Sequence, residues 1–168
     1  MSGDIPTQEL ADALRAAMRR HAQGVTVLSG VDEQGERVAM TASAVTTVSM
    51  EPPSLLVSVG RESSMYPVLK AGCAFCVNLL SRDMSEIADR CAFVESAEER
   101  FAVGNWTLST EHAIPYLANA QASLFCQPDG YLEYGSHLIC VGRLMGAQLS
   151  EREANPLVYV DGGYKGVS

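Results

Sequence analysis

The run Met40-Thr41-Ala42-Ser43-Ala44-Val45-Thr46-Thr47-Val48-Ser49-Met50-Glu51-Pro52-Pro53, continued by Ser54-Leu55-Leu56-Val57-Ser58-Val59-Gly60-Arg61-Glu62-Ser63-Ser64, constrains the fold more than any other stretch. Each proline fixes φ and biases the residue before it away from helix, so 52–53 must be an extended break. The apolar, β-branched run after it has strand length and composition. Before it stand small Ala, Ser and Thr residues, which allow a backbone to approach a flat polar ligand and leave N–H and O–H groups to bond it. The order is loop, break, buried strand.

The same code recurs along the chain. Strands are expected at 25–29, 37–40, 54–60, 74–80, 122–127, 131–134, 137–149 and 156–160, separated by turn residues such as Asp32 to Glu36, Pro128-Asp129-Gly130 and Gly135-Ser136. Pro128-Asp129-Gly130 reads as a turn or a bulge, 103–116 as loop with Trp106 folded back as an apolar plug, and 162–164 as tail. Helical spacing appears at 8–21, with Thr7 as N-cap, at 64–71 behind Ser63, and at 83–91 behind Ser81. Residues 1–7 read as a loose arm. Many short strands with few helices indicate a mainly β, antiparallel barrel with helices outside it. At 168 residues the chain suits one domain, spanning 1–168, that can bury its own core.

Composition removes several classes of function. A net charge of −8 without a basic cluster argues against nucleic acid as a partner. No apolar run is long enough to span a bilayer and the N-terminus lacks a signal-peptide core, so a cytoplasmic location is expected. The five cysteines, an odd number inside apolar segments, suit reduced thiols. Cys73 and Cys76 spell C-x-x-C, yet on a strand positions three apart face opposite sides and share no metal. There is no metal-ligand spacing among His21, His112 and His137, no hydrolase elbow, and no glycine fingerprint between a strand and a helix.

The opening run, with Phe75-Cys76-Val77-Asn78-Leu79-Leu80, Arg100-Phe101-Ala102-Val103-Gly104-Asn105-Trp106, residues 134–144 and Pro156-Leu157-Val158-Tyr159-Val160-Asp161-Gly162-Gly163-Tyr164, resembles the short flavin reductases that feed two-component monooxygenases. The motifs occur in the family's order from about residue 11 to 166. The resemblance implies an FMN-binding split β-barrel, Greek-key and antiparallel, usually a homodimer. It also implies hydride transfer from NADH or NADPH to FMN or FAD, with an oxygenase component receiving the reduced flavin.

It assigns flavin contacts to Thr41, Ala42, Ser43, Ala44, Ser58, Ser63 and Ser64. Arg61 with Ser63 and Ser64, at a strand end before a helix, makes chemical sense as a phosphate site, and Ser63 can equally be a helix cap. Asn78, inside an apolar strand, must have a partner, main chain or ligand; the resemblance puts it beside the flavin. Arg100 and Phe101 match a family pair near the flavin. His137, in the pattern G-x-H-x-x-x-x-G, matches the histidine near the nicotinamide, which makes it the catalytic candidate, and Tyr164 matches a tail that covers the dinucleotide. Two other uses of the fold remain open on these residues: a flavin binder without turnover, and an oxidase resembling the pyridoxamine phosphate oxidases, whose phosphate site draws on more Arg and Lys than stand here.

Overall fold

The computed structural model describes residues 7–167. The chain runs α1 (Thr7–Met18), β1 (Gln23–Gly24), β2 (Thr26–Val31), β3 (Arg37–Ala42), β4 (Val45–Met50), β5 (Pro53–Gly60), α2 (Met65–Lys70) and β6 (Phe75–Leu79). A 3-10 turn (Arg82–Met84) leads into α3 (Ser85–Phe93) and α4 (Ala97–Phe101), followed by β7 (Trp106–Leu108), β8 (Pro115–Leu117), β9 (Ala122–Tyr134), β10 (His137–Leu149), β11 (Leu157–Val160) and β12 (Gly163–Gly166). Seven strands form one antiparallel sheet in the order β3-β2-β6-β9-β10-β5-β4.

The two edges of that sheet, β3 and β4, are consecutive in the chain and joined by Ser43 and Ala44 alone. Three peptide steps reach at most about 11 Å, so the sheet must curl until its edges nearly meet. The edges do not pair, which makes this a barrel with one open seam. Inward-facing Leu28, Leu55, Val57, Val59, Phe75, Val77, Leu138 and Cys140 fill it, and Met65, Val68 and Leu69 of α2 close one end. Alternate residues point outward, following the pleat. Outward Val27 and Ala39 pack beneath Ile87, Ala88 and Cys91 of α3, while Cys76 and Phe125 pack beneath Ile114 and Tyr116.

Most expected strands are present, and the differences have physical causes. The run expected as loop before the proline break is at 45–50 the edge strand β4, whose β-branched Val45, Thr46, Thr47 and Val48 suit a strand and which pairs with β5. Residues 128–130 are a bulge inside one long strand: Gly142 pairs with Pro128 while Val141 pairs with Gly130, so Asp129 is the extra residue. Residues 103–116 contribute the short β7–β8 hairpin, and the expected Trp106 plug is present, its ring 4.5 Å from that of Phe101. Residues 163–166 are no tail: β12 pairs with β11 and places Tyr164 opposite Tyr159. The arm expected at 1–7 lies outside the described residues except Thr7, which belongs to α1. Cys73 precedes β6 and packs against the barrel interior, while Cys76 on β6 lies in the outer Ile114–Tyr116 cluster, so the two sulfurs face different layers although only Cys76 is on the strand. Among the described residues no helix is long and apolar enough to cross a membrane, and no cluster of His, Cys, Asp and Glu could hold a metal.

Gly142 shows how tightly the barrel interior is filled. A Cβ there would lie 2.7 Å from Phe75 Cζ and 3.0 Å from Cys126 Cβ. Gly142→Ala is expected to cost about 1–3 kcal/mol through overpacking, read as a lower urea midpoint; an unchanged midpoint would mean that the interior is looser than this.

Candidate functional site

The seam is where backbone groups are left open. Thr41 and Ala42 end β3, and their side chains are already engaged: Thr41 Oγ1 donates to the Ala88 carbonyl at 2.5 Å, and Ala42 faces the barrel interior. The Thr41 hydroxyl proton, expected as a donor to the flavin, is thus used to fasten the seam to α3, while both residues still line the recess described below. Ser43 and Ala44 are exposed. Their carbonyls accept from the amides of Val45 and Ser58, both at 3.0 Å, and among the described residues neither of their own N–H groups is taken up by backbone pairing. Two amides and the Ser43 hydroxyl therefore form a donor rim.

Ser43 stands between two depressions. One, of about 500 Å³, is lined by His21, Gln23, Ser43, Ala44, Thr46 and Leu56. The other, an apolar recess of about 200 Å³, is walled by Thr41, Ser43, Ala92, Phe93, Tyr159 and Tyr164. Tyr164 is fixed by its edge-on contact with Tyr159 at 5.5 Å. Burial first, and then neighbouring Asp89, push its phenol up to about 12, so it remains a hydroxyl at neutral pH. Phe93 is 80% exposed beside this recess, and sequence reasoning missed it. An aromatic between the apolar face of α3 and the charged segment 95–100 was the available signal. A third depression, of about 530 Å³ beside Ser81, Gln121 and Asn155, shares no lining residue with these. Its polar groups bond one another, with Ser81 Oγ on Asp83 at 2.5 Å and the Asn155 amide on Gln121 Oε1 at 2.6 Å.

Beyond the rim lie Ser58 and His137. In the β5–β10 register Ser58 opposes Ile139 and Gly60 opposes His137, which sets Ser58 and His137 on the same outward face. His137 is exposed at the start of β10, with Nδ1 2.9 Å from Ser136 Oγ, leaving Nε2 for another partner. The chain then turns through Arg61, Ser63 and Ser64 into α2. Ser63 Oγ is buried yet has no hydrogen-bond partner among the described residues. Neither Ser63 nor Ser64 caps α2: Ser64 is the N-cap residue but makes no side-chain cap bond. Ser64 Oγ instead accepts from Arg100 Nη1 at 3.0 Å. Arg61 Nη2 lies 3.5 Å from Glu133, on the inward side of the β9–β10 hairpin and so across the strand from His137.

Three expected ligand contacts belong to the protein's own framework. Arg100 Nη1 also donates to the Ala39 carbonyl at 2.7 Å, and its Nε donates to the Val94 carbonyl, so it ties the turn at Ser64 to β3 and to the loop before α4. Phe101 sits in the outer core against Trp106, with the Arg37 guanidinium 4.4 Å above its ring. Asn78, fully buried, points outward from β6. Its Nδ2 donates to the Val27 carbonyl at 2.9 Å and Ser29 Oγ at 3.0 Å, while Oδ1 accepts from the Leu117 amide at 2.9 Å and Ser123 Oγ at 3.1 Å. Both donors and both lone pairs are occupied, which leaves nothing for a ligand.

Asn78→Ala would orphan the Leu117 amide under the β8 cover. An orphaned buried donor costs about 1–3 kcal/mol, so urea unfolding should show at least that loss while flavin affinity of the folded protein stays constant. Weakened flavin binding at unchanged stability would restore Asn78 as a ligand contact.

These groups suit a phosphorylated flavin: a flat edge can meet the open amides of Ser43 and Ala44, and a phosphate can take the unpartnered Ser63 hydroxyl beside Arg61. Residues 18–168 match the family described as a flavin reductase like domain. The reductase component of an FADH(2)-dependent resorcinol hydroxylase from Rhizobium sp. (strain MTP-10005) is 35% identical over 162 residues, 96% of this chain and 89% of that protein. An NADH:riboflavin 5'-phosphate oxidoreductase of Streptomyces pristinaespiralis is 31% identical over 147 residues, covering 88% of this chain and 82% of that one. An NADH:FAD oxidoreductase of Streptomyces globisporus, solved in complex with NAD and FAD fragments, superimposes with a TM-score of 0.86 at 28% identity over 99% of this chain and 98% of its own. With one family matched from the end of α1 to the C-terminus and relatives alike along nearly their whole lengths, the chain belongs to the flavin reductase-like family.

Proposed function

We propose that this chain is an NADH:flavin oxidoreductase, one flavin reductase-like unit from end to end, that reduces FMN or FAD for release to a partner oxygenase. The donor rim at Ser43 and Ala44 carries the reading, and the relatives named as NADH-dependent flavin reductases and hydroxylase reductase components support it. Of the two other readings, the oxidase resembling the pyridoxamine phosphate oxidases is supported less well, because the relatives named above are flavin reductases and reductase components. Turnover separates the flavin binder: NADH consumed in excess of protein when FMN or FAD is added supports a reductase, and flavin binding without consumption supports a binder.

The flavin supplies the redox chemistry, accepting at N5 the hydride that leaves nicotinamide C4. The protein's part is to bind and align. Ser43, Ala44 and Ser58 hold the ring edge at the seam, and Arg61 with Ser63 holds the phosphate, Ser64 being kept in place by Arg100. His137, with Nδ1 fixed by Ser136, presents Nε2 to the nicotinamide carboxamide, and Tyr164 with Phe93 flanks the recess and limits water around the rings. His137→Ala should slow single-turnover hydride transfer about tenfold or more with little change in flavin affinity. Ser63→Ala should do the reverse, weakening FMN by about tenfold. Equal losses in both assays would overturn this division of roles.

A homodimer completes the reading. None of the residues of α1 is buried, and Leu10, Leu14 and Met18 stand exposed on one stripe, although a helix of about 12 residues is marginal in water without packing. Val48 and Met50 on the edge strand β4 are exposed as well. A second copy is the proposed cover, as in the family the sequence resembles. Light scattering should give twice the mass of the chain, and a monomer at micromolar concentration would refute it.

A further inference from the structure

At the turn that precedes α2, three donors converge on one carboxylate. Glu133 Oε1 accepts from Tyr66 Oη at 2.7 Å and from Lys70 Nζ at 3.1 Å, and Oε2 lies 3.5 Å from Arg61 Nη2. Tyr66 and Lys70 are one helical turn apart on α2, and Arg61 precedes the helix. Glu133 comes from the far arm of the β9–β10 hairpin, opposite buried Leu138, so its side chain is directed to the α2 side. The Tyr66 hydrogen bond first, and then Lys70, hold its carboxyl below the usual value, and it is an anion at neutral pH. The same turn carries the unpartnered Ser63 hydroxyl, and the Tyr66 amide closes it on the Ser63 carbonyl at 3.2 Å.

We infer that Glu133 is a specificity-determining counter-charge: by engaging Arg61 and Lys70 it restrains how strongly the turn grips the phosphate of a flavin, and so sets the preference for phosphorylated over unphosphorylated flavin. The inference rests on the phosphate reading of Arg61 and Ser63 given above. Two cations at the barrel end that carries the Ser63 turn, freed of their counter-charge, would hold a dianion tightly, and a tight site releases product slowly, whereas a reductase that supplies a partner must let reduced flavin go. An opposing carboxylate within hydrogen-bond reach of both cations lowers that grip without removing the geometry. Tyr66 shares Oε1 with Lys70 and so limits how much of Lys70 the carboxylate claims, while Oε2 faces Arg61. All these groups are near solvent, with side-chain exposures of 45% for Arg61 and 35% for Glu133, so the effect is modest and salt-sensitive.

The test is the dissociation constant of FMN beside that of riboflavin, by quenching of flavin fluorescence at low and high salt, for wild type, Glu133→Gln, Tyr66→Phe and Arg61→Ala. Glu133→Gln keeps an oxygen for Tyr66 and removes the charge. It should tighten FMN by about threefold or more at low salt, leave riboflavin unchanged, and lose the difference at high salt. Tyr66→Phe, which leaves Oε1 to Lys70 alone and so strengthens the carboxylate's hold on the cations, should weaken FMN alone. In the Arg61→Ala background the gain from Glu133→Gln should shrink, as coupling between the two requires. If Glu133→Gln moves FMN and riboflavin together, or neither, Glu133 is only a tie between the hairpin and α2 and the inference is overturned while the phosphate reading stands. If Arg61→Ala leaves the FMN to riboflavin ratio unchanged, the phosphate reading itself fails and this inference falls with it.

Discussion

The unmade pairing between β3 and β4 is what the rest of the molecule depends on. A closed barrel would join its edge strands and leave no free amide at the join, whereas here two residues bridge the edges without a ladder. The cost of that opening is covered from outside: α3 and α4 lie over β3, with Thr41 fastened to Ala88 and Arg100 fastened to Ala39. The seam is thus fixed in position while its middle, Ser43 and Ala44, stays accessible. A donor rim built from backbone needs no reactive side chain, in keeping with a reaction in which the protein contributes alignment and the ligand contributes the redox couple.

The barrel places its polar groups according to the pleat. On β6, Phe75 and Val77 face the interior, while Cys76 and Asn78 face the outer layer. Asn78 therefore knits β2, β6 and β9 to the β8 cover, and the cysteines are desolvated: burial raises Cys91 and Cys140 to about 11 and Cys126 to about 12. Thiols in that state are poor nucleophiles, so Cys91, Cys126 and Cys140 act as small core residues. At the barrel end, by contrast, charge is concentrated: Arg61, Lys70 and Glu133 meet where α2 closes the interior. The apolar plug of Met65, Val68 and Leu69 anchors that helix, so the charged turn above it rests on a rigid base.

Amino-acid order alone determined the long strands and the helices at 8–21, 64–71 and 83–91 in outline, and the reduced state of the cysteines, because alternation and prolines are local signals; it did not give β1, β4, β7, β8 or β12, whose pairing partners are set by the fold. It also carried the family, since five motifs in series survive in order. It placed Ser43, Ala44, Ser58 and His137 as candidates, and the structure leaves Ser43, Ala44 and His137 exposed and Ser58 half-buried.

What only the tertiary structure decided is the direction in which each candidate's capacity is used. Asn78, Phe101 and Arg100 carry the same letters whether they face a ligand or their own neighbours, and the neighbours come from residues distant in sequence: Leu117 and Ser123 for Asn78, Trp106 and Arg37 for Phe101, Ala39 and Ser64 for Arg100. Glu133 gave no local sign of meeting Arg61, Tyr66 and Lys70, which lie more than sixty positions away. A side chain's chemistry is written in the sequence, whereas its partners are fixed only when the sheet curls and brings its edges together.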